Sequence, residues 1–279
     1  MLEHLNSAPQ KPERVVVIGA AGFVGNAVAA RLERDGVPVL RVGRKEVDLL
    51  SPDAAEKLSK LLKPGDAAVA ASARAPVKDS AMLVENMIMA RAMVRALTSA
   101  AHVVNISSDA VYADSDKPLT ESSCAEPGSL HGAMHLAREV MFRAEVKAPL
   151  AILRPSLLYG AADPHNGYGP NRFRRLAAEG KEIVLFGEGE ERRDHVYIGD
   201  VAELAARVLY RRSAGVLNIA TGTVHSFREI AEKFSRNVKG SQRSGPMPHN
   251  GYRPFDASGT RQAFPDFRYT SLDDGLKHG

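Results

Sequence analysis

Three glycines at intervals of three, Gly19, Gly22 and Gly25, stand between a β-branched run and a helix-like segment. Phe23 and Val24 fill the second interval. Glycine lets the backbone approach a pyrophosphate closely, and a helix N-terminus behind it adds N–H donors and a favourable dipole. Three glycines alone would also suit a plain turn. The strand before them and the helix after them favour a dinucleotide cradle. The segment placed to meet the adenosine ribose is Arg41-Val42-Gly43-Arg44-Lys45, with no acid before Glu46. An acid there suits the ribose hydroxyls of NAD, whereas a base suits a 2′-phosphate. Arg44, assisted by Arg41 or Lys45, is the phosphate candidate. NADP is therefore expected over NAD, although a solvated basic turn would read the same. Further along, His131 and His135 lie four apart in a helical segment, which puts both imidazoles on one face.

The elements that must hold these groups follow a βα alternation. Arg14–Ile18 reads as a buried strand, Asn26–Arg34 as the helix behind the glycines, and Val37–Val42 as the second strand. Ser51-Pro52-Asp53 is expected to open another helix, with the proline near its first turn. Ala67–Ala71, His102–Ser107, Leu150–Leu153 and Val216–Ala220 read as further strands. Leu83–Ala101, His131–Val146 and Asp200–Tyr210 read as helices. Strands separated by helices of this length imply right-handed crossovers and an α/β fold, a Rossmann-type doubly wound parallel sheet. After Arg154-Pro155 the Gly, Pro, Asp and Asn content rises and the alternation breaks. The expected division is a flexible tail over 1–12, a dinucleotide-binding domain over 13–155 and a smaller substrate lobe over 156–279. About 200–222 is expected to return to the nucleotide domain, and the last forty residues read as irregular.

Composition narrows the rest. The 279 residues, 44% hydrophobic and 25% charged, suffice for a large core. A net charge of +4 in scattered clusters suits phosphate-bearing ligands, but no basic helix or aromatic-interleaved patch points to nucleic acid. Cys124 is the sole cysteine, which excludes an intramolecular disulfide and a cysteine-built zinc site. No run approaches the ~18 apolar residues of a membrane span, and Met1–Glu13 lacks the apolar stretch of a signal peptide. A cytoplasmic setting is expected.

With these elements in place, the chain resembles the extended short-chain dehydrogenases/reductases. Within them it resembles the NAD-dependent epimerase/dehydratase family acting on nucleotide sugars, from about Arg14 to Leu276. The resemblance implies that Asp48-Leu49 meets the adenine, that Ala71 within Ala70–Ala73 lines the cofactor, and that Asn86 opens the helix beyond. Arg41 to Leu50 looks like the NADP-using GDP-fucose synthase type. Asn105 to Tyr112 resembles the S-S-x-x-V-Y signature, in which Ser108 would hydrogen-bond the reacting sugar oxygen. A serine there would equally satisfy its own loop. Leu153-Arg154-Pro155 with Tyr159-Gly160 resembles the element near the nicotinamide. Asn171 and Phe173, ahead of a helix ending at Gly180, resemble the sugar-nucleotide lobe. Arg192 to Asp200 resembles R-D-F-V-Y-V-x-D, which makes Arg193 the clamp on the substrate pyrophosphate. Asp194 and Asp200 are expected to be structural, the latter as a helix N-cap. Arg253 is a further candidate for the nucleotide, and Leu272–Leu276 resembles the closing pattern.

One departure concerns the chemistry itself. The family carries Y-x-x-x-K on the helix after the serine loop, where the phenolate relays a proton and the lysine lowers its pKa and holds the nicotinamide ribose. Here His131 takes the tyrosine position and His135 the lysine position. His131 would then be the general acid/base and His135 a hydrogen-bond donor to the ribose. Alternatively the chemistry is lost, leaving a non-catalytic dinucleotide-binding regulator or sensor. A metal pair ranks last, because no acid or cysteine completes a ligand set by spacing, and no metal is expected. Two neighbouring imidazoles hold at most one proton near neutrality. Asp109 follows Ser108 as in the family's dehydratases, but Ala110 replaces the glutamate expected next. That disfavours dehydration and leaves keto-reduction or epimerisation. The expected partner is a nucleotide-sugar-like small molecule, and a homodimer is allowed.

Overall fold

A computed structural model describes residues 2–163 and 169–278. β1 (Val15–Ile18) runs into the glycine loop, α1 (Phe23–Arg34) leaves it, and β2 (Val39–Val42) returns parallel to β1. α2 (Ala54–Leu61), β3 (Ala67–Ala70), α3 (Ser80–Ala96), β4 (His102–Ile106), α4 (Leu130–Glu145) and β5 (Leu150–Pro155) continue the alternation. The short β6 (Leu157–Tyr159), α5 (Pro170–Ala178), β7 (Ile183–Phe186) and β8 (Arg192–Tyr197) come next. The chain then returns through α6 (Ile198–Tyr210) to β9 (Gly215–Ile219). It finishes with β10 (Val224–Ser226), α7 (Phe227–Glu232), β11 (Val238–Ser241), β12 (Tyr252–Arg253), α8 (Ser258–Ala263) and α9 (Leu272–Lys277).

The main sheet is parallel throughout, in the order β2-β1-β3-β4-β5-β9. β1, β3 and β4 are buried at every position, as strands covered on both faces must be. One face packs Val28 and Leu32 of α1 against Val201, Leu204 and Val208 of α6. The other packs Leu58 of α2, Met93 of α3 and Phe142 of α4. Chain order reverses between β1 and β3, and the carboxyl ends of those strands form the crevice where such sheets bind ligands. Beyond it, β8 is the centre of a second sheet, flanked by β6, β10 and β12. β7 and β11 pair separately.

Several local expectations change. α3 starts at Ser80 with Asp79 as its cap, accepting from the Met82 N–H at 2.8 Å, so Asn86 lies inside the helix and does not open it. α2 starts at Ala54, leaving Pro52 in the turn before it. Asn171 and Phe173 sit within α5 rather than ahead of it. Asp200 is in the first turn of α6, whose cap is Tyr197, and its carboxylate accepts instead from Thr270 N (2.9 Å) and Oγ1 (2.8 Å). The first dozen residues are not a loose tail. Glu3 and Ala214 exchange two backbone hydrogen bonds of 2.8 Å, and His4 bridges Ser213 Oγ and the Ala263 carbonyl. Polar composition hides such docking, because backbone pairing at a sheet edge asks for no hydrophobic period. Among the described residues, the last forty hold the end of β11, a short 3₁₀ turn over Pro248–Gly251, β12, α8 and α9. Among the described residues no helix is long and apolar enough to cross a membrane.

Candidate active site

The glycine cradle is built on contacts that side chains would block. Gly19 has φ +91°, a backbone state reserved in practice for glycine, and a Cβ there would stand 2.7 Å from Ser72 N. The loop therefore touches the end of β3, and Ala71 N donates to Ile18 O at 2.9 Å. A Cβ on Gly25 would overlap the Gly19 carbonyl, so Gly25 lets α1 close on the loop. Gly22 caps α1 without a side chain, which leaves the helix N-terminus open to a phosphate. Phe23 turns toward Gly160, where a Cβ would come 3.3 Å from its ring, and Val24 packs against the core behind.

Beside the cradle lies a cavity of about 150 Å³ lined by Val42, Arg44, Asp48, Leu49, Ser72 and Arg74, among others. Its apolar floor and arginine rim fit an adenosine with a charged substituent. The Arg44 side chain is 82% exposed, held loosely to Asp48 at 3.2 Å. Arg41 gives no help here. It faces α1, bonded to Glu33 at 2.7 Å and Asn26 at 2.9 Å. Lys45 is exposed and is not part of this lining. Arg74, which the sequence reading missed, shares the rim and pairs with Glu85. Its signal was weak: a lone arginine in the loop after β3. Asn86 is buried and fully used, accepting from Arg74 N and donating to the Arg74 and Met82 carbonyls, so it moulds the loop that carries Arg74.

At the far end of the crevice α4 presses on the turn after β4. A Cβ on Gly132 would overlap the Ala110 carbonyl, so the first turn of α4 touches the backbone of the Ser108–Val111 turn. That contact sets His131, next to Gly132, beside the Ser108 loop. Ser108 is half-buried, and its Oγ accepts from Ala110 N at 3.1 Å and donates to Asp109 Oδ1 at 3.2 Å. The His131 and His135 rings meet edge to face with centroids 4.8 Å apart. Burial above all, then the nearby charges of Arg138 and His131, holds His135 well below the usual imidazole range. His135 is thus a neutral ring.

Beneath the turn, Glu139 accepts from Arg154 through both oxygens (2.8 and 2.6 Å) and from Ser107 Oγ (2.6 Å). Arg154 Nη1 also donates to Tyr112 Oη, which in turn donates to Asn218 Oδ1 at 2.8 Å. Tyr112 is therefore a buried strut, its phenol pushed up by burial, and no proton carrier. Glu139, one turn beyond His135, went unnoticed in the sequence because acids on helices are usually solvated.

Across the Ser108 loop from α4, Arg193 reaches Asp109 Oδ2 at 3.4 Å and Glu191 Oε1 at 3.5 Å. Both contacts are long, so the guanidinium can exchange them for tighter bonds to phosphate oxygens. Arg253 differs. It is 1% exposed and bonded to Asp109 Oδ2 and O, Asp114 Oδ1 and Tyr112 O, which makes it a clamp on the Asp109–Asp114 loop rather than a free nucleotide ligand. Asn171 is engaged likewise, accepting from Gly160 N at 3.2 Å and donating to Asp163 Oδ2 at 2.7 Å. Asp194 accepts four hydrogen bonds, from Ser156 Oγ, Thr221 N and Oγ1, and Gly222 N. Among the described residues no group of three His, Cys, Asp or Glu side chains is gathered to hold a metal.

The model of the NAD dependent epimerase/dehydratase family matches residues 15–220, from β1 to the end of β9. The chain belongs to that family. A dTDP-L-rhamnose 4-epimerase of Burkholderia thailandensis is 33% identical over 138 residues, which are 44% of this chain and 38% of that relative. The match thus spans well under half of the relative's length. A UDP-glucose 4-epimerase of Mycolicibacterium smegmatis is 28% identical over 252 residues, 78% of this chain and 80% of its own. Two solved structures share the fold. A GDP-L-fucose synthetase from Naegleria fowleri bound to NADP has a TM-score of 0.80 at 16% identity, covering 99% of this chain and 95% of its own. A UDP-glucuronic acid 4-epimerase from Bacillus cereus, in complex with UDP-glucuronic acid and NAD, has a TM-score of 0.78 at 21% identity, covering 95% and 97%. Of these two structures of the same fold, one holds NAD and the other NADP.

Proposed function

We propose that this protein binds a nicotinamide dinucleotide, NADP before NAD, and reduces or epimerises the sugar of a nucleotide sugar. The observation that carries the reading is the convergence at the first turn of α4. Gly132 seats that turn on the Ala110 carbonyl, Ser108 and Asp109 lie in the same loop, and Asp109 meets Arg193. A bound nicotinamide would supply reversible hydride transfer. His131 would exchange the proton of the reacting hydroxyl, with Ser108 as its orienting partner once the bond to Asp109 yields. His135, held neutral, leaves His131 as the imidazole that carries the proton. Arg193 would take the pyrophosphate, and Arg44 with Arg74 would meet the 2′-phosphate.

A second reading, a dinucleotide-binding regulator without turnover, draws support from the same residues. His135 brings no positive charge to the ribose side, and the Ser108 hydroxyl proton already points to Asp109. NADPH oxidation followed by absorbance with a panel of 4-keto nucleotide sugars, together with chromatographic detection of epimerised nucleotide sugars in the presence of the oxidised dinucleotide, separates the two. The enzyme reading expects turnover that falls roughly 10²–10⁴-fold in His131→Ala. Tight NADPH binding with no turnover on any sugar leaves the regulator. Turnover that survives His131→Ala removes the acid/base role.

A further inference from the structure

Arg138 lies on α4 three residues past His135 and is 1% exposed. Among the described residues no carboxylate pairs with it. Its neighbour Glu139 is occupied by Arg154, Arg143 and Ser107. The one hydrogen bond of Arg138 is a long one, Nη2 to Asn105 Oδ1 at 3.3 Å, on a residue with no exposure at all. Three buried atoms around it have no hydrogen-bond partner: Arg138 Nε, Asn105 Nδ2 and His135 Nδ1. Burial pulls the guanidinium down to about 10, still charged at neutral pH. The nearest carboxylate, Glu139, acts on Arg138 only through space and is already bonded to two other guanidiniums, so the cluster keeps a net positive charge. That is strongly unfavourable, and so is a buried donor left unmade.

The chemistry of the orphans defines what would satisfy them. Arg Nε and Asn Nδ2 only donate, and the neutral imidazole of His135 donates from Nδ1 in one tautomer. Two buried orphan donors, a third available from the His135 ring, and one net positive charge call for a ligand that only accepts and carries a negative charge. Water matches neither requirement, since it brings no charge and two protons of its own to place. Side chains at 0–6% exposure leave no entrance for a polyatomic anion.

We propose that Arg138, Asn105 and His135 form an internal binding site for a single halide ion beneath the crevice, with Arg138 and Asn105 set back from the dinucleotide and sugar subsites and the His135 ring shared with the ribose side. The ion neutralises Arg138 and fixes His135 as the Nδ1–H tautomer, so that Nε2 is the lone-pair nitrogen.

Bromide is the probe, because it substitutes for chloride and scatters anomalously. Crystals of the full chain grown in sodium bromide should show an anomalous peak within hydrogen-bonding reach of Arg138 Nε. Thermal unfolding at constant ionic strength, with bromide replacing gluconate, should show a saturable rise of roughly 5 °C at a hundredfold excess over Kd. Arg138→Met keeps an unbranched apolar stem as far as the Nε position and removes the charge, so it should fold and lose the bromide dependence. Bromide peaks confined to the surface overturn the proposal, as does a melting temperature indifferent to bromide. A bromide dependence that persists in Arg138→Met overturns it too. The scattering measurement needs no variant and stands if Arg138→Met fails to fold. Neither readout depends on turnover, so the result is independent of whether the protein proves to be an enzyme.

Discussion

The two ends of the crevice are made of different materials. At the glycine loop the geometry comes from backbone: Gly19 against Ser72, Gly25 against the Gly19 carbonyl, and an open helix end at Gly22. At α4 one backbone contact, Gly132 on the Ala110 carbonyl, seats the helix, but the working geometry comes from side chains over a buried ionic bed of Glu139, Arg154 and Tyr112. A backbone site asks only that side chains be absent, so it is either intact or blocked. A side-chain site can keep its scaffold while its working groups are exchanged, which is the reading proposed for His131 and His135. Holding a dinucleotide and acting through it are thus separable properties of this fold, and each can be perturbed alone.

The sharpest way to break the α4 end is to remove its bed. Glu139→Leu should strip Arg154 of both carboxylate contacts and destabilise the protein by about 3–5 kcal/mol, read by denaturant unfolding. Adding Arg154→Met should recover most of that loss, since the unpaired charge goes with it. If Glu139→Leu loses under about 1 kcal/mol, the bed is ornament and the contrast drawn above fails.

Acid should then act on buried imidazoles rather than on the cradle. Burial holds His102 at about 4 in the folded state, against about 6.5 when unfolded. The unfolded chain therefore binds the extra proton between those values. Stability from this residue rises with pH across that window, at up to about 1.4 kcal/mol per pH unit, and is complete above it. His195, at about 3, acts in the same direction. Asp194, Asp200 and Glu191, raised by burial, oppose it. His102→Gln should flatten the pH dependence of unfolding between pH 4 and 6.5 by up to one proton, and an unchanged slope would refute the assignment.

Gly25→Ala tests the opposite end. The new methyl meets the Gly19 carbonyl, so stability should fall by about 1–3 kcal/mol and dinucleotide affinity with it, while nucleotide-sugar affinity measured alone should hold. Loss of both affinities together would show the two ends to be coupled. The smallest effect belongs to Arg44→Ala. Because the residue is largely solvated, it should narrow any NADPH-over-NADH preference by only about 1 kcal/mol, measured by titration calorimetry. Equal affinities before mutation would remove the NADP assignment.

The parallel sheet was legible in the sequence because strands buried on both faces leave unbroken apolar runs, as in Val15–Ile18 and His102–Ile106. The glycine cradle was legible because its spacing is local. Less was visible where function depends on which partner a side chain finds in three dimensions. Arg193 and Arg253 look alike in sequence, yet one is loosely held and the other fully bonded by a loop 139 to 144 residues earlier. Arg138 is the extreme case, an arginine on a helix that composition would place in water. The docking of Glu3 and His4 was invisible for a related reason, since it rests on backbone and polar contacts more than two hundred residues apart.

Asp194 has one further consequence. Its buried carboxylate sits on β8 and grips the segments just past β5 and β9, so one side chain rivets the second sheet to the edge of the first. With four bonds at 3.0 Å or less, the angle of the jaw is preset by folding and does not await the ligand. Any opening that admits substrate must bend the peripheral loops around this joint rather than swing about it. The Thr221 and Gly222 amides should accordingly exchange with deuterium as slowly as those of the sheet core.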